Sequence, residues 1–343
     1  MDKIKAMLPY LKMRGYIRVK AFWLTLIGLI TGLAAFAQQD AQFSQYTFNG
    51  LYINPAYAGY KQDVYANAFY RSQWTGLEGA PQTFSLAVDG SVHDTKVGLG
   101  LLVAHDGIGA QSSLAVYGNY AYRLQIGDNE NSRLAFGIGA GFVQNGLDGN
   151  KLTATQTGDN YIPTGYQSAL LPDARLGVLY TNDRFFIGGS VDNLLARKLS
   201  MLKDKSILTP VPVPHFYFTT GALFSINDDV KFKPSILLKD DLNGPTSLDI
   251  NAFTLLGERI WIGATYRTAV SLYNKPQLQN GLQKSNAVVG VVELFATDKL
   301  RVGYAFDYSL TPLSSYSYGS HELSIGIYLN HSHVDSNGNR CYF

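Results

Sequence analysis

The stretch LRVGYAFDYSL, Leu300 to Leu310, sets Val302, Tyr304, Phe306, Tyr308 and Leu310 on one face and Arg301, Gly303, Ala305, Asp307 and Ser309 on the other. Strict alternation of this kind is the period of a β-strand, in which successive side chains point to opposite faces. The pattern recurs with small residues in place of polar ones. LAFGIGAGF (Leu134 to Phe142) sets Leu134, Phe136, Ile138, Ala140 and Phe142 against Ala135, Gly137, Gly139 and Gly141. VGLGLLVAHD (Val97 to Asp106) sets Val97, Leu99, Leu101 and Val103 against Gly98, Gly100, Leu102 and Ala104. A soluble sandwich or propeller would turn its large apolar face inward and carry charge outside. Here the second face is too small or too weakly charged for that surface, and charged residues are only 16% of the chain. The reading that fits is an all-β transmembrane antiparallel barrel of the bacterial outer-membrane type. A sheet can cross lipid only when closed, because no water is present there to pair an edge.

Working outward, candidate strands fall near residues 64–74, 82–92, 96–106, 111–125, 132–145, 174–181, 184–192, 214–226, 230–240, 245–256, 259–268, 285–296, 299–310 and 320–330. That makes about fourteen, an even number, as single-chain bacterial barrels have. With the first strand running outward from the periplasm, the inner turns HDT, GDNENS, TND, NDD, GE and TD are all short and acidic. The long connections, Gly146 to Pro172, Asn193 to Val213, Val270 to Lys284 and Thr311 to Gly319, all fall outside. The short outer connections GIGA and DLNG are exceptions to the sorting. Tyr120 with Tyr122, Tyr304 with Tyr308, and Trp261 with Tyr266 are candidates for the aromatic girdles at the two membrane interfaces.

The N-terminus reads as an export signal. Lys3, Lys5, Lys12, Arg14, Arg18 and Lys20 precede the apolar run Ala21 to Ala37, which ends in Ala35-Phe36-Ala37, the small-x-small pattern of a cleavage site. Cleavage after Ala37 is the expectation, with an uncleaved anchor as the alternative. The division is then 1–37 signal peptide, 38–63 N-terminal segment, 64–330 barrel and 331–343 tail. Removing six basic groups and one acid from totals of 28 and 26 leaves 22 against 25, a net charge near −3. No basic face remains for nucleic acid. The single cysteine, Cys341, has no partner for an internal disulfide.

Nothing assembles into a catalytic set. The chain lacks His-Glu-x-x-His, Cys-x-x-Cys and Gly-x-Ser-x-Gly, and the glycines of GIGAG (Gly137 to Gly141) alternate within a strand rather than opening a nucleotide-binding helix. His321 and Glu322 are adjacent on a strand and so face opposite ways, and His331 and His333 lie in the polar tail. The expectation is no enzyme activity, no cofactor and no metal.

Between signal and first strand lies QQDAQFSQYTFNGLYINPAYAGY, Gln38 to Tyr60, almost uncharged and rich in aromatic and amide side chains. Asn54-Pro55 favours a turn, and Gly59 can end it. The segment reads as an ordered loop tucked against the polar lumen or the periplasmic rim, serving as a structural plug or as a partner contact.

This segment resembles the N-terminal signature of the PorP/SprF family of type IX secretion outer-membrane proteins, Q-D-P-Q-F-S-Q-Y-x-F-N-x-L-Y-x-N-P-A-Y-A-G. Gln42, Phe43, Ser44, Gln45, Tyr46, Phe48, Asn49, Leu51, Tyr52, Asn54, Pro55, Ala56, Tyr57, Ala58 and Gly59 match it. Ala41 replaces the common proline, and Tyr60 a small polar residue. YRSQWTGLEGAPQTF (Tyr70 to Phe84) resembles the second signature, through Arg71, Gln73, Trp74, Gly76, Gly79, Ala80, Pro81 and Thr83. GLGLLVAHDGIG, FIGGSVDNLL, WIGATYR, GYAFD and GSHEL follow in the family's order, so the resemblance spans the mature chain. It implies an outer-membrane barrel of the type IX secretion and gliding apparatus of Bacteroidota. Its implied partners are the lipid bilayer, the secretion machinery and a large secreted adhesin, which it helps to export or hold at the surface.

Within the second signature, Trp74 reads as an interface anchor, while Gly76, Gly79 and Pro81 shape a turn at the outer end of the first hairpin. The long outer loops are better placed for recognising an adhesin. The alternative function is a porin-like channel for small solutes. Glycine and alanine on the inward faces of several strands instead suggest space that something else fills.

Overall fold

The computed structural model describes residues 42–92, 96–127, 131–153, 163, 165–200, 212–276, 278 and 284–329. Residues 1–41, 93–95, 128–130, 154–162, 164, 201–211, 277, 279–283 and 330–343, among them the expected signal, parts of the long connections and His331, His333 and Cys341, lie outside the described residues. No helix among the described residues is long and apolar enough to cross a membrane.

The strands are β1 (Tyr65–Ser72), β2 (Gln82–Val92), β3 (Val97–Ile108), β4 (Gln111–Gln125), β5 (Arg133–Asp148), β6 (Tyr166–Thr181), β7 (Phe185–Asp192), β8 (His215–Ala222), β9 (Phe224–Ser225), β10 (Val230–Asp240), β11 (Thr246–Leu256), β12 (Ile260–Val270), β13 (Ser285–Phe295), β14 (Leu300–Ser309) and β15 (Ser320–Tyr328). β8 and β9 flank Leu223 and both pair with β10, so the 15 segments make fourteen staves. Each stave pairs antiparallel with its neighbours, and β1 pairs with β15 from Tyr65↔Tyr328 to Ser72↔His321. The sheet closes on itself and no stave is left as an edge, the condition a sheet in lipid must meet.

The alternation separates two environments. Val302, Tyr304 and Tyr308 are among the exposed large hydrophobics, whereas Arg301, Ala305, Asp307 and Ser309 are buried. In β3, Leu101 is 51% exposed and Leu102 only 2%. Large apolar groups thus cover the outside, while the inside mixes polar and charged groups with buried apolar ones such as Leu102. Leu101→Arg is therefore expected to destabilise the barrel by about 2–4 kcal/mol if it lies near the bilayer midplane. Urea titration of the protein folded into lipid vesicles reads this, and an unchanged midpoint would place Leu101 away from lipid.

All fourteen staves coincide with the segments read from periodicity, with one large revision. The connection expected over Gly146–Pro172 is shorter, because β5 continues to Asp148 and β6 begins at Tyr166. Pro172 lies inside β6, opposite Phe142. β6 pairs with β7 only from Leu176 to Thr181, and beyond that the Leu194 N–H donates to the Ala174 carbonyl. Alternate backbone groups of a strand point the same way, so the donor that Pro172 lacks would also have pointed away from β5. Proline interrupts no ladder bond there.

The connections sort between the two ends of the barrel. At one end, the turn end, none exceeds seven residues, while the other, the loop end, has the four longest. Residues 42–63 join β1 at the turn end.

Trp261 does not belong to a girdle. It is 3% exposed and packs inside with Phe253, Leu255, Val289 and Val291, whereas Tyr266 faces out at 40%. The two differ in parity along β12 and cannot share a face. Tyr120, Tyr122, Tyr304 and Tyr308 all face outward.

Candidate functional site

The N-terminal segment lies within the barrel lumen. Its backbone folds into three short turns: the 3-10 turn Tyr46–Phe48, the single helical turn Gly50–Ile53 and the 3-10 turn Pro55–Tyr57. Asn54 caps the last, its Oδ1 accepting from the Ala56 N–H at 2.8 Å, and Pro55 occupies a first-turn position where its missing donor costs nothing. Gly59, at φ +65°, then reverses the chain toward β1.

Side chains from around the barrel wall converge on this segment. Toward the loop end, the two oxygens of Glu322 accept from the Ser44 and Gln45 N–H groups at 2.7 and 2.9 Å. Ser44 Oγ donates to Asp307 at 2.7 Å and accepts from Arg71 at 2.9 Å. Arg71 also bonds Asp307 at 2.8 Å and Glu322 at 3.2 Å. Arg267 reaches Asp307 at 3.2 Å and grips both oxygens of Asp249 at 3.0 and 3.1 Å. Lys239 stands 3.6 Å from Asp249. These charges form one continuous chain across six staves, each neutralised by another wall residue, as buried ions must be. Tyr46 Oη accepts from Asn251 at 2.5 Å.

Midway down the lumen, Asn49 donates to Ser85 at 3.0 Å, and Asn54 donates to the Val178 and Gly189 carbonyls at 3.0 and 3.2 Å. Arg175, paired with Asp192, donates to the Tyr52 carbonyl at 2.8 Å, and Ser190 donates to the Ile53 carbonyl at 2.7 Å. Near the turn end, Asp89 accepts from the Gly59 N–H at 2.7 Å while Arg123 donates to the Gly59 carbonyl. Phe48 meets Phe253 and Trp261 edge-on, with ring centroids 5.7 and 6.1 Å apart.

Apolar contacts fill the remaining space. Leu51 and Ala58 pack with Ala87, Leu102, Tyr117 and Val143; Ala56 packs with Ala135, Leu179 and Phe186; Tyr46 and Ile53 pack with Tyr217 and Leu237. Four glycines make this approach possible. A Cβ at Gly98 would overlap the Ala58 carbonyl, at Gly137 the backbone of Pro55 and Ala56, at Gly177 the Asn54 amide and at Gly303 the Gln45 amide. The small inward faces of the strands are the seat of this segment. Burial pushes the Tyr46 phenol well up, with Asp249 adding to the effect, and burial likewise raises Tyr57. Both stay neutral, like the rest of Gln42–Tyr60.

Of the residues singled out from sequence, Phe43, Gln45, Tyr46, Asn49, Tyr52, Asn54, Pro55, Tyr57 and Gly59 come together inside the barrel, with Gln42 half-buried beside them. Arg71 joins them. Gln73, Trp74, Gly76, Gly79 and Pro81 do not: they form the β1–β2 connection at the loop end. There the Gln73 N–H donates to the Pro81 carbonyl at 2.9 Å, and Thr75 exchanges two backbone bonds with Tyr318 and Gly319 at 2.8 Å each. Gly76 and Gly79 take positive φ values, +99° and +71°. The anchors Asp307, Arg267, Asp249, Arg175, Asp89 and Arg123 were not singled out, and Glu322 was weighed only beside His321. Their signal is a charge at an inward position of an otherwise apolar strand.

Comparisons with known proteins follow the same outline. No curated protein matches the chain. Among solved structures, the CymD monoaromatic hydrocarbon channel matches with TM-score 0.51 at 11% identity, over 83% of this chain and 94% of that one. Omp33 of Acinetobacter baumannii matches with TM-score 0.44 at 8% identity, over 78% and 99%. The first likeness shows the outer-membrane barrel fold. A family model described as type IX secretion system membrane protein PorP/SprF matches residues 35–327. The chain is a member of the PorP/SprF family of type IX secretion system membrane proteins.

Proposed function

We propose that this protein is a partner of type IX export that helps deliver a large secreted adhesin or hold it at the cell surface, and is not a porin-like solute channel. The observation that carries the choice is the occupied lumen. Residues 43–59 touch the wall from β1 to β15, and Phe43, Ser44, Gln45, Asn49, Asn54, Ala56 and Ala58 are all 2% exposed or less. A porin keeps this space as an aqueous path. Here the rigid barrel presents its loops instead, and loops on a rigid scaffold commonly carry binding.

In this reading the signal is removed after Ala37, the turn end faces the periplasm and the secretion machinery, and the loop end faces the surface. Residues 1–37, 38–63, 64–330 and 331–343 then serve as signal, plug, barrel and tail. The paired connections Gln73–Pro81 and Leu310–Gly319 belong to the outer face, with Tyr316 and Tyr318 exposed at 72% and 81%.

Proteomics of surface and culture-medium fractions from a strain lacking the gene tests this directly. Loss of one or a few large exported proteins, restored by complementation, is the expected result. Unchanged export together with impaired uptake of a small solute would overturn it in favour of the channel.

A further inference from the structure

The wall holds the segment in its lumen through main-chain bonds as well as through the side chains of Ser44, Gln45, Tyr46, Asn49 and Asn54. Glu322 takes the N–H groups of Ser44 and Gln45, Arg175 and Ser190 take the carbonyls of Tyr52 and Ile53, and Asp89 and Arg123 take the two backbone groups of Gly59. Contacts of this kind recognise a polypeptide path more than a unique side-chain set. The glycines of the seat act in the same sense, since Gly98 and Gly137 make room for backbone at Ala58 and Ala56.

Charge is distributed so that the occupant can leave. Gln42–Tyr60 contains no Asp, Glu, Lys, Arg or His. The wall charges pair with one another: Arg71 with Asp307 and Glu322, Arg267 with Asp249 and Asp307, Arg175 with Asp192, and Arg301 with Glu293. Withdrawing the segment therefore leaves these pairs intact, while Asp89 and Arg123 lose their bonds to Gly59. What it exposes is apolar surface around Leu51, Ile53 and Phe48, and another segment of like chemistry could cover that surface again.

We propose that the lumen is an exchangeable polypeptide-binding site, held in cis by Gln42–Tyr60 and open in trans to another uncharged segment rich in aromatic and amide side chains. Attachment through Lys61–Asp63 gives the cis segment an effective concentration on the order of millimolar, so a competitor displaces it only when it is itself held nearby. A client docked at either end of the barrel meets that condition.

The test uses the full-length protein with a protease site inserted between Asp63 and Val64 and cut after folding. A fluorescent peptide of sequence Gln42 to Tyr60 is then added, and its entry is read as anisotropy against release of the cut segment. Exchange is expected, with at least about tenfold weaker binding, or 1.4 kcal/mol, for a peptide carrying Ala56→Glu. The Gly137→Val substitution in the cut protein is expected to release the segment and block re-entry. Retention of the cut segment without exchange over days, release without re-entry of the labelled peptide, or equal entry of the Ala56→Glu peptide would each overturn the proposal. Because purified protein is used, these outcomes are independent of whether an adhesin is the client in the cell.

Discussion

Replacing Gly98 or Gly137 with valine is expected to unseat the N-terminal segment while leaving the barrel closed. Both glycines lie on inward faces, and the space a side chain would need is taken by the backbone of Ala58 and of Pro55-Ala56. Overpacking of a core commonly costs about 1–3 kcal/mol when side chains can yield, and the cost is larger where the obstacle is backbone. The strands themselves need not move, because β3 and β5 keep their ladder partners on both sides. The expected signature is two-part: protease cleavage within residues 42–60 in detergent-solubilised protein, with retention of the heat-modifiable folded band in electrophoresis. Loss of the folded band in both variants would mean that the segment is a structural element of the barrel and not a separable plug.

The second large effect is expected at Arg71. Its guanidinium, 2% exposed, is bonded to Asp307, Glu322 and Ser44, so Arg71→Ala leaves carboxylates short of a partner inside the lumen. Removing one member of a buried ion pair costs roughly 3–5 kcal/mol, far above the value of a surface pair. Arg267 still reaches Asp307 but does not bond Glu322, so the greater strain falls on Glu322 and its grip on Ser44 and Gln45. A lowered denaturant midpoint, largely recovered in an Arg71→Met, Glu322→Gln double variant, is the expected result. A single variant as stable as the parent would show that the network does not anchor the segment.

The strands were legible because each carries its own local signal. Period-two alternation located all fourteen staves, and in Val302, Tyr304 and Tyr308 against Arg301, Gly303 and Asp307 it also separated lipid from lumen. The connection expected to end at Pro172 ran too long, and a proline fits inside β6 because no neighbour lies on its donor side, which residues near it in sequence do not reveal. Trp261 misled differently. Its parity with Arg267 already placed it inside, and its chemistry suggested an interface instead.

The site was half legible. An uncharged aromatic lead-in and small inward residues each hinted at a filled lumen. Which glycine receives which residue was not readable, because Gly303 meets Gln45 and Gly177 meets Asn54 across more than a hundred residues of chain. Arg71 was recognised only through the second signature, and its partners Asp307 and Glu322 lay in the fragments GYAFD and GSHEL without any local sign of a shared task. The second signature itself divides at Ser72, one part serving the lumen and the other the outer loop.

The decisive measurement is planar-bilayer conductance of the intact, full-length barrel, with the Gly98→Val variant beside it. A plugged lumen predicts no sustained current from the intact protein and open-channel steps from the variant. Stable channel steps from the intact protein, of the same size as those of the variant, would contradict it and make the barrel a porin.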